Sequence, residues 1–181
     1  MFPQGQYKTI YIDPPWPERG GGKIKRGADR HYALMSIKEI KALPIASLAD
    51  PEGCHLYMWT TNNHLPDALD CGKAWGCQYV TLITWCKDSM GLGQYFRGMT
   101  EHCIFATTQK KLPYKLEEGK RMQGVTGFVE PKREHSRKPE TMRKMIERVS
   151  YTPRIELFAR RAAPGWKVWG NEAPEEQEAA T

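Results

Sequence analysis

Apolar residues along the chain fall into short runs separated by helix-type spacings. Residues 7–12 (YKTIYI) form a β-rich run closed by Asp13-Pro14-Pro15; proline cannot donate to a ladder, so the strand stops there. Residues 54–60 (CHLYMWT), 79–85 (YVTLITW) and 101–107 (EHCIFAT) are nearly continuous apolar runs, the pattern of strands buried on both faces. Two shorter strands are predicted at 154–159 (RIELFA) and 166–170 (WKVWG). Between them lie helices. Ser36 with Glu39 three residues on makes a capping box, and Pro44 limits that helix. A second helix spans 64–75, with Pro66 in its first turn and Gly76 as its stop; a third spans 139–149, with Pro139 at its first position. Residues 17–30 and 90–99 read as Gly-rich loops, and 109–138 as a long polar excursion. Strands alternating with helices imply crossovers, so the predicted class is α/β, a mostly parallel sheet with helices on both faces. Ligands of such sheets sit beyond the carboxyl ends of the strands, which points to the loops after Ile12, Thr60, Thr107 and Phe158.

A length of 181 residues fits one domain. We expect a single unit over 1–172 and an acidic tail over 173–181, where Glu175, Glu176 and Glu178 meet no base. No run approaches about 18 uninterrupted apolar residues, and the first residues lack a signal pattern, so neither a spanning helix nor secretion is expected. The five Cys are odd in number with no CxxC pair, and the five His show no HExxH spacing. These counts favour a reducing, cytoplasmic setting and metal-free chemistry. The net charge of +6 is uneven: residues 109–161 hold fifteen Lys/Arg against seven Glu, a balance of +8. A one-sided basic half suits a polyanion, nucleic acid being the commonest, as well as a solvated face. Lys23, Lys25 and Arg26 in the first loop, and Lys110 and Lys111 in the excursion, are the candidate phosphate contacts.

The strand-terminal Asp13-Pro14-Pro15-Trp16 carries the sharpest chemistry. The lone pair of an aromatic amine is delocalised into its ring, so its nitrogen is a poor nucleophile. Two acceptors that hold both N–H bonds favour a pyramidal nitrogen with its lone pair free to attack. The Asp13 carboxylate and the Pro14 carbonyl supply such a pair. The prolines stiffen it by fixing φ, and Trp16 can stack on a flat base. An ordinary Pro-rich turn closing a strand is the plainer reading of the same four residues.

With these residues the chain resembles the adenine N6-methyltransferases of the MT-A type, in which bacterial and phage members occur. The likeness extends to Glu101-His102-Cys103, Ser136-Arg137-Lys138-Pro139, Met145-Ile146-Glu147-Arg148, Glu156-Leu157-Phe158-Ala159-Arg160, Gly165-Trp166 and Gly170-Asn171-Glu172, in the family's order. The resemblance implies a Rossmann-like methyltransferase fold with permuted motif order. It implies methyl transfer from S-adenosyl-L-methionine to the exocyclic N6 amine of adenine. Asp13, Pro14, Pro15 and Trp16 would be catalytic. Ile12, Asp13, Lys138, Glu156, Phe158, Arg160, Asn171 and Glu172 would hold the cofactor, and Trp16 and Tyr32 would meet the base. A base in a duplex must be flipped or already unpaired to reach such a site. Ala159 and the absence of GxGxxG depart from common nucleotide-site patterns, and Ala162 and Ala163 stand where some family members place polar residues after the arginine. DNA stands ahead of RNA as the expected substrate. A non-catalytic partner subunit is the alternative from another class, and both a homodimer and a heteromeric assembly stay open.

Overall fold

A computed structural model describes residues 1–17, 34–91, 93, 95–132 and 137–170. In chain order its elements are strand β1 (Thr9–Ile12), helix α1 (Ile37–Lys41), strand β2 (His55–Thr60), helix α2 (Leu65–Ala74), and strands β3 (Cys77–Cys86) and β4 (Thr100–Thr108). The short strands β5 (Leu116–Glu117), β6 (Lys120–Arg121) and β7 (Gly127–Val129) follow, then helix α3 (Glu140–Val149) and strands β8 (Arg154–Leu157) and β9 (Lys167–Trp169). Seven strands form one sheet in the order β7-β3-β4-β2-β1-β8-β9, and β5 and β6 pair as a separate hairpin. Six of the seven share one direction; β4 alone is antiparallel to both neighbours.

The interior strand β1, flanked by β2 and β8, is buried at all four positions. One sheet face carries Ile10, Ile12, Leu56, Met58, Ile104, Ile155 and Leu157. It packs under Ile40 of α1 and Ala68 and Cys71 of α2. The other face carries Tyr11, Tyr57, Trp59, Ile83, Trp85 and Cys103, and packs under Met142 and Ile146 of α3. Helices thus cover both faces. The α1 capping box forms as read: the Glu39 amide donates to Ser36 Oγ at 3.2 Å and the Ser36 amide to Glu39 Oε2 at 2.7 Å. Pro139 is the N-cap of α3, one position before its first helical residue. Cys54, Cys71 and Cys103 are free thiols inside the core.

Two expectations are corrected. The excursion after Thr108 contributes an edge strand, β7, beside β3, together with the β5–β6 hairpin. The loop after Thr107 does not open at the carboxyl edge of the parallel strands. Among the described residues of 87–99 no helix crosses from β3 to β4, and the two strands pair antiparallel. The end of β4 therefore lies at the opposite edge, and its beginning, Thr100 and Glu101, lies at the edge where β1, β2, β3, β8 and β9 end.

Candidate active site

Asp13 leaves β1 at this edge, with its amide donating to the Leu157 carbonyl of β8 at 3.4 Å. Strand alternation puts it on the same face as Tyr11, toward α3. The residues just before α3 bring Lys138 to it, the Lys138 ammonium standing 3.1 Å from Asp13 Oδ2 and 3.1 Å from Glu101 Oε2. The other Glu101 oxygen meets Lys87 Nζ at 2.5 Å. Each ammonium also lies over an indole, Lys138 5.3 Å from the Trp59 ring centroid and Lys87 4.9 Å from that of Trp85. Trp59 is tied in turn to Tyr11, its indole N–H donating to the Tyr11 hydroxyl at 2.5 Å.

The rest of the motif is anchored. Trp16 donates through its amide to the Pro14 carbonyl at 2.8 Å and through its indole N–H to the Trp59 carbonyl at 2.9 Å. Its ring stacks on His64 at 5.4 Å and 14°. The imidazole of His64 bridges Asp67 at 3.0 Å and the Pro17 carbonyl at 2.7 Å. The Met35 amide closes on the Pro15 carbonyl at 3.0 Å. The Pro14 carbonyl keeps a second lone pair beyond its bond to Trp16, since a carbonyl accepts twice.

On the adjoining strand Glu156 pairs with Arg143 of α3 at 2.7 Å. Burial drives its carboxyl up to about 7, Arg143 opposing and Asp13 adding to the rise. Burial likewise raises the Asp13 carboxyl, opposed by Lys138 and reinforced by Glu101. Burial also pushes Glu101 upward, but Lys138 and Lys87 together hold it below its ordinary range. Burial would lower Lys138, yet Asp13 and Glu101 outweigh it and keep the ammonium firmly charged. Phe158 follows β8 at φ 60°, an uncommon left-handed conformation for an aromatic residue. Its ring turns to Trp169, 5.3 Å away and nearly perpendicular. At Gly170 a Cβ would stand 2.3 Å from the Ala159 carbonyl oxygen, so the close approach of these two loops requires glycine there.

The structure thus unites Asp13, Lys138 and Glu156, with Pro14, Pro15 and Trp16 beside them. Arg160 lies near enough to pull the Asp13 carboxyl down. Ile12 is wholly buried in the opposite apolar layer, so only its backbone reaches this edge. Lys110 and Lys111 are not brought here: they follow the end of β4, and Lys110 pairs at 2.6 Å with Glu52, which precedes β2. Lys23, Lys25, Arg26, Tyr32, Asn171 and Glu172 lie outside the described residues. Sequence reasoning assigned no role to Glu101, Lys87, Trp59 or His64. A signal existed for the first two. Period-2 alternation puts Glu101 on the face of buried Cys103, and Lys87 on the face of Ile83 and Trp85. A charge in phase with a buried face marks an inward-pointing group.

The donor set suits the cofactor that the resemblance implies. Two half-buried carboxylates, Asp13 and Glu156, are held above their ordinary range and gain from an incoming cation, as a sulfonium or ammonium supplies. Lys138 and Arg160 suit a carboxylate and hydroxyl groups.

A family model described as MT-A70 matches residues 7–172. The "Type II methyltransferase M.MunI" of Mycoplasma sp is 29% identical across 97% of this chain and 81% of its own length. The "Probable N(6)-adenosine-methyltransferase MT-A70-like" of Oryza sativa subsp. japonica is 28% identical across 93% of this chain, which spans only 23% of the rice protein. The "N6-methyladenosine RNA methyltransferase MTA1" of Cryphonectria parasitica is 29% identical over 92% of this chain and 51% of its own length.

Proposed function

The chain belongs to the MT-A70 family, and from that premise we propose that it is an S-adenosylmethionine-dependent methyltransferase acting on the N6 amine of adenine in DNA. The observation that carries the reading is Asp13 at the end of β1, held at 3.1 Å by the half-buried Lys138 and flanked by the Pro14 carbonyl and an anchored Trp16. DNA is taken as the polynucleotide because the Mycoplasma type II methyltransferase is a relative of comparable length. The fungal protein whose name specifies RNA favours the second reading, the same chemistry on RNA.

In this reading the Asp13 carboxylate and the Pro14 carbonyl accept the two N–H bonds of the target amine and turn its lone pair out of the ring plane. Lys138 fixes the Asp13 carboxylate by charge and hydrogen bond, which limits its rotation. Trp16, locked by the Trp59 carbonyl and the His64 ring, presents a rigid wall to the flipped base. Asp13 is the acceptor nearest the proton that the amine sheds, and a carboxyl raised by burial takes it more readily than an ordinary one. When bound, S-adenosylmethionine supplies an electrophilic methyl group on a sulfonium. Asp13 and Glu156 would hold its positive groups, and Lys138 and Arg160 its carboxylate and ribose; Asn171 and Glu172 share that role by the family resemblance.

The test is transfer of labelled methyl from the cofactor to matched DNA and RNA oligonucleotides that contain unpaired adenine. We expect label in DNA adenine, reduced by about 10³-fold or more in Asp13→Ala. Transfer to RNA alone selects the second reading. Undiminished transfer by Asp13→Ala rejects the assigned chemistry.

A further inference from the structure

Lys87 stands one residue beyond the end of β3, where its amide still pairs with the Met99 carbonyl at 2.7 Å. Trp85 and Glu101 are register partners across β3 and β4, so Lys87 lies diagonal to Glu101 on the same face. Its ammonium bonds one Glu101 oxygen at 2.5 Å while Lys138 bonds the other at 3.1 Å. Lys138 then reaches Asp13 at 3.1 Å. The result is a row of alternating charge, Asp13, Lys138, Glu101, Lys87, laid along the edge of the sheet. Both cations are backed by indole faces, and those indoles, Trp59 and Trp85, pack edge to face at 6.2 Å. The side chains of Lys87 and Glu101 are only 16% and 19% exposed, which is unlike a surface ion pair. Solvent screens this contact weakly, and removing Lys87 leaves the Glu101 oxygen it bonds short of a donor.

We propose that Lys87 is a positioning residue: it holds Glu101 in the orientation that aims Lys138 at the Asp13 carboxylate. The proposal rests on the function proposed above and adds a residue that touches neither substrate nor reacting atoms. Lys87 acts at one remove through Glu101 and at two through Lys138. The groups that face Glu101 are Lys87 beyond β3, Lys138 before α3 and Asp13 beyond β1. Cys103 follows on its own strand, and Tyr11 lies buried beneath. The neighbouring His102 points to the other face, where it meets Thr84 and Asn62. The row is neutral as built, one cation for each carboxylate. Without Lys87 it carries a net negative charge, so both carboxyls hold their protons to higher pH. Glu101 also becomes free to turn, and Lys138 loses its fixed aim.

The experiment compares Lys87→Met and Lys87→Arg with the unaltered chain. Carbon-13 NMR follows the Glu101 and Asp13 carboxyls in the free protein, and kcat and KM for DNA methylation are measured across pH. In Lys87→Met both carboxyl midpoints are expected to rise, that of Glu101 by about one pH unit. The acid limb of kcat/KM moves in the same direction. kcat falls about tenfold while KM for the oligonucleotide stays within about twofold. Lys87→Arg restores midpoints and kcat. Midpoints unmoved in Lys87→Met, or an equal loss of activity at every pH with no rescue by Arg, overturns the proposal. Should the Met variant fail to fold, Lys87→Gln gives the same charge test with a donor retained. If the unaltered chain transfers no methyl, the functional reading falls, while the carboxyl titrations still decide whether Lys87 governs Glu101 and Asp13.

Discussion

Charges at the carboxyl edge of the parallel strands sit where burial and partners pull in opposite directions. Glu156 is the clearest case: its carboxyl rises from 4.5 to about 7 although Arg143 lies 2.7 Å away. Below about 4.5 the group is protonated both folded and unfolded, and the folded chain keeps the full benefit of binding that proton more tightly. As pH climbs through about 7 that benefit disappears. Urea unfolding of the free protein from about pH 4.5 to pH 7.5 should therefore show a loss on the order of 2–3 kcal/mol in the unaltered chain that Glu156→Gln lacks. Equal slopes in the two proteins dismiss the shift. The place of Asp13 and Trp16 just beyond the end of a buried strand was legible, because the prolines between them stop the strand. Trp16's fixed posture was not legible, since its anchors, the Trp59 carbonyl and the His64 ring, come from β2 and the start of α2.

Among the elements, α3 couples stability to the site. Met142 and Ile146, a helical turn apart, seal the second sheet face, and the residues just before the helix carry Lys138 to Asp13. The third helix was readable from its apolar spacing and from Pro139, whose fixed φ suits a helix start. A lysine beside the positive end of a helix is ill placed by the dipole alone. Two carboxylates at 3.1 Å account for its position. Ile146→Ala should cost about 3 kcal/mol, because a fully buried side chain leaves a cavity that the sheet cannot collapse into. Well below its melting temperature the variant should keep kcat within about twofold, since its atoms face the core. A urea midpoint near that of the unaltered chain would show that α3 contributes little to the fold. β7 escaped prediction because only Phe128 of its three residues, Gly127–Val129, is even partly buried and so few positions carry no period; β3 supplies the pairing that makes them a strand.

Across the whole molecule, charge and chemistry occupy different places than the linear count implied. The basic half of the chain divides between the two edges of the sheet. Lys138 and Arg143 pair with Asp13 and Glu156 on the Asp13 side of the sheet and Arg160 lies near them, whereas Lys110 and Lys111 sit at the far edge, with Lys110 engaged by Glu52. Lys110→Ala combined with Lys111→Ala should leave oligonucleotide affinity within about twofold and the salt slope nearly unchanged. A fall of about one in that slope per lysine removed would instead extend the nucleic-acid path around the sheet. Among the described residues no helix is long and apolar enough to cross a membrane.

The sequence by itself determined the α/β class, the position of nearly every long element, the capping box at Ser36 and the end of β1 at Asp13-Pro14. These are local quantities: periodicity reports which face a residue shares with its neighbours, and proline and capping residues act within a turn. Tertiary structure alone decided that β4 runs against the other strands. Alternation of apolar residues is the same in either direction, and a connection as long as residues 87–99 allows either, so the pairing of β4 with β2 and β3 settles it. That reversal sends the end of β4 away from the site and delivers its beginning. Glu101, and through it Lys87, thereby join Lys138 and Asp13 in a single row of charge that no local pattern encodes.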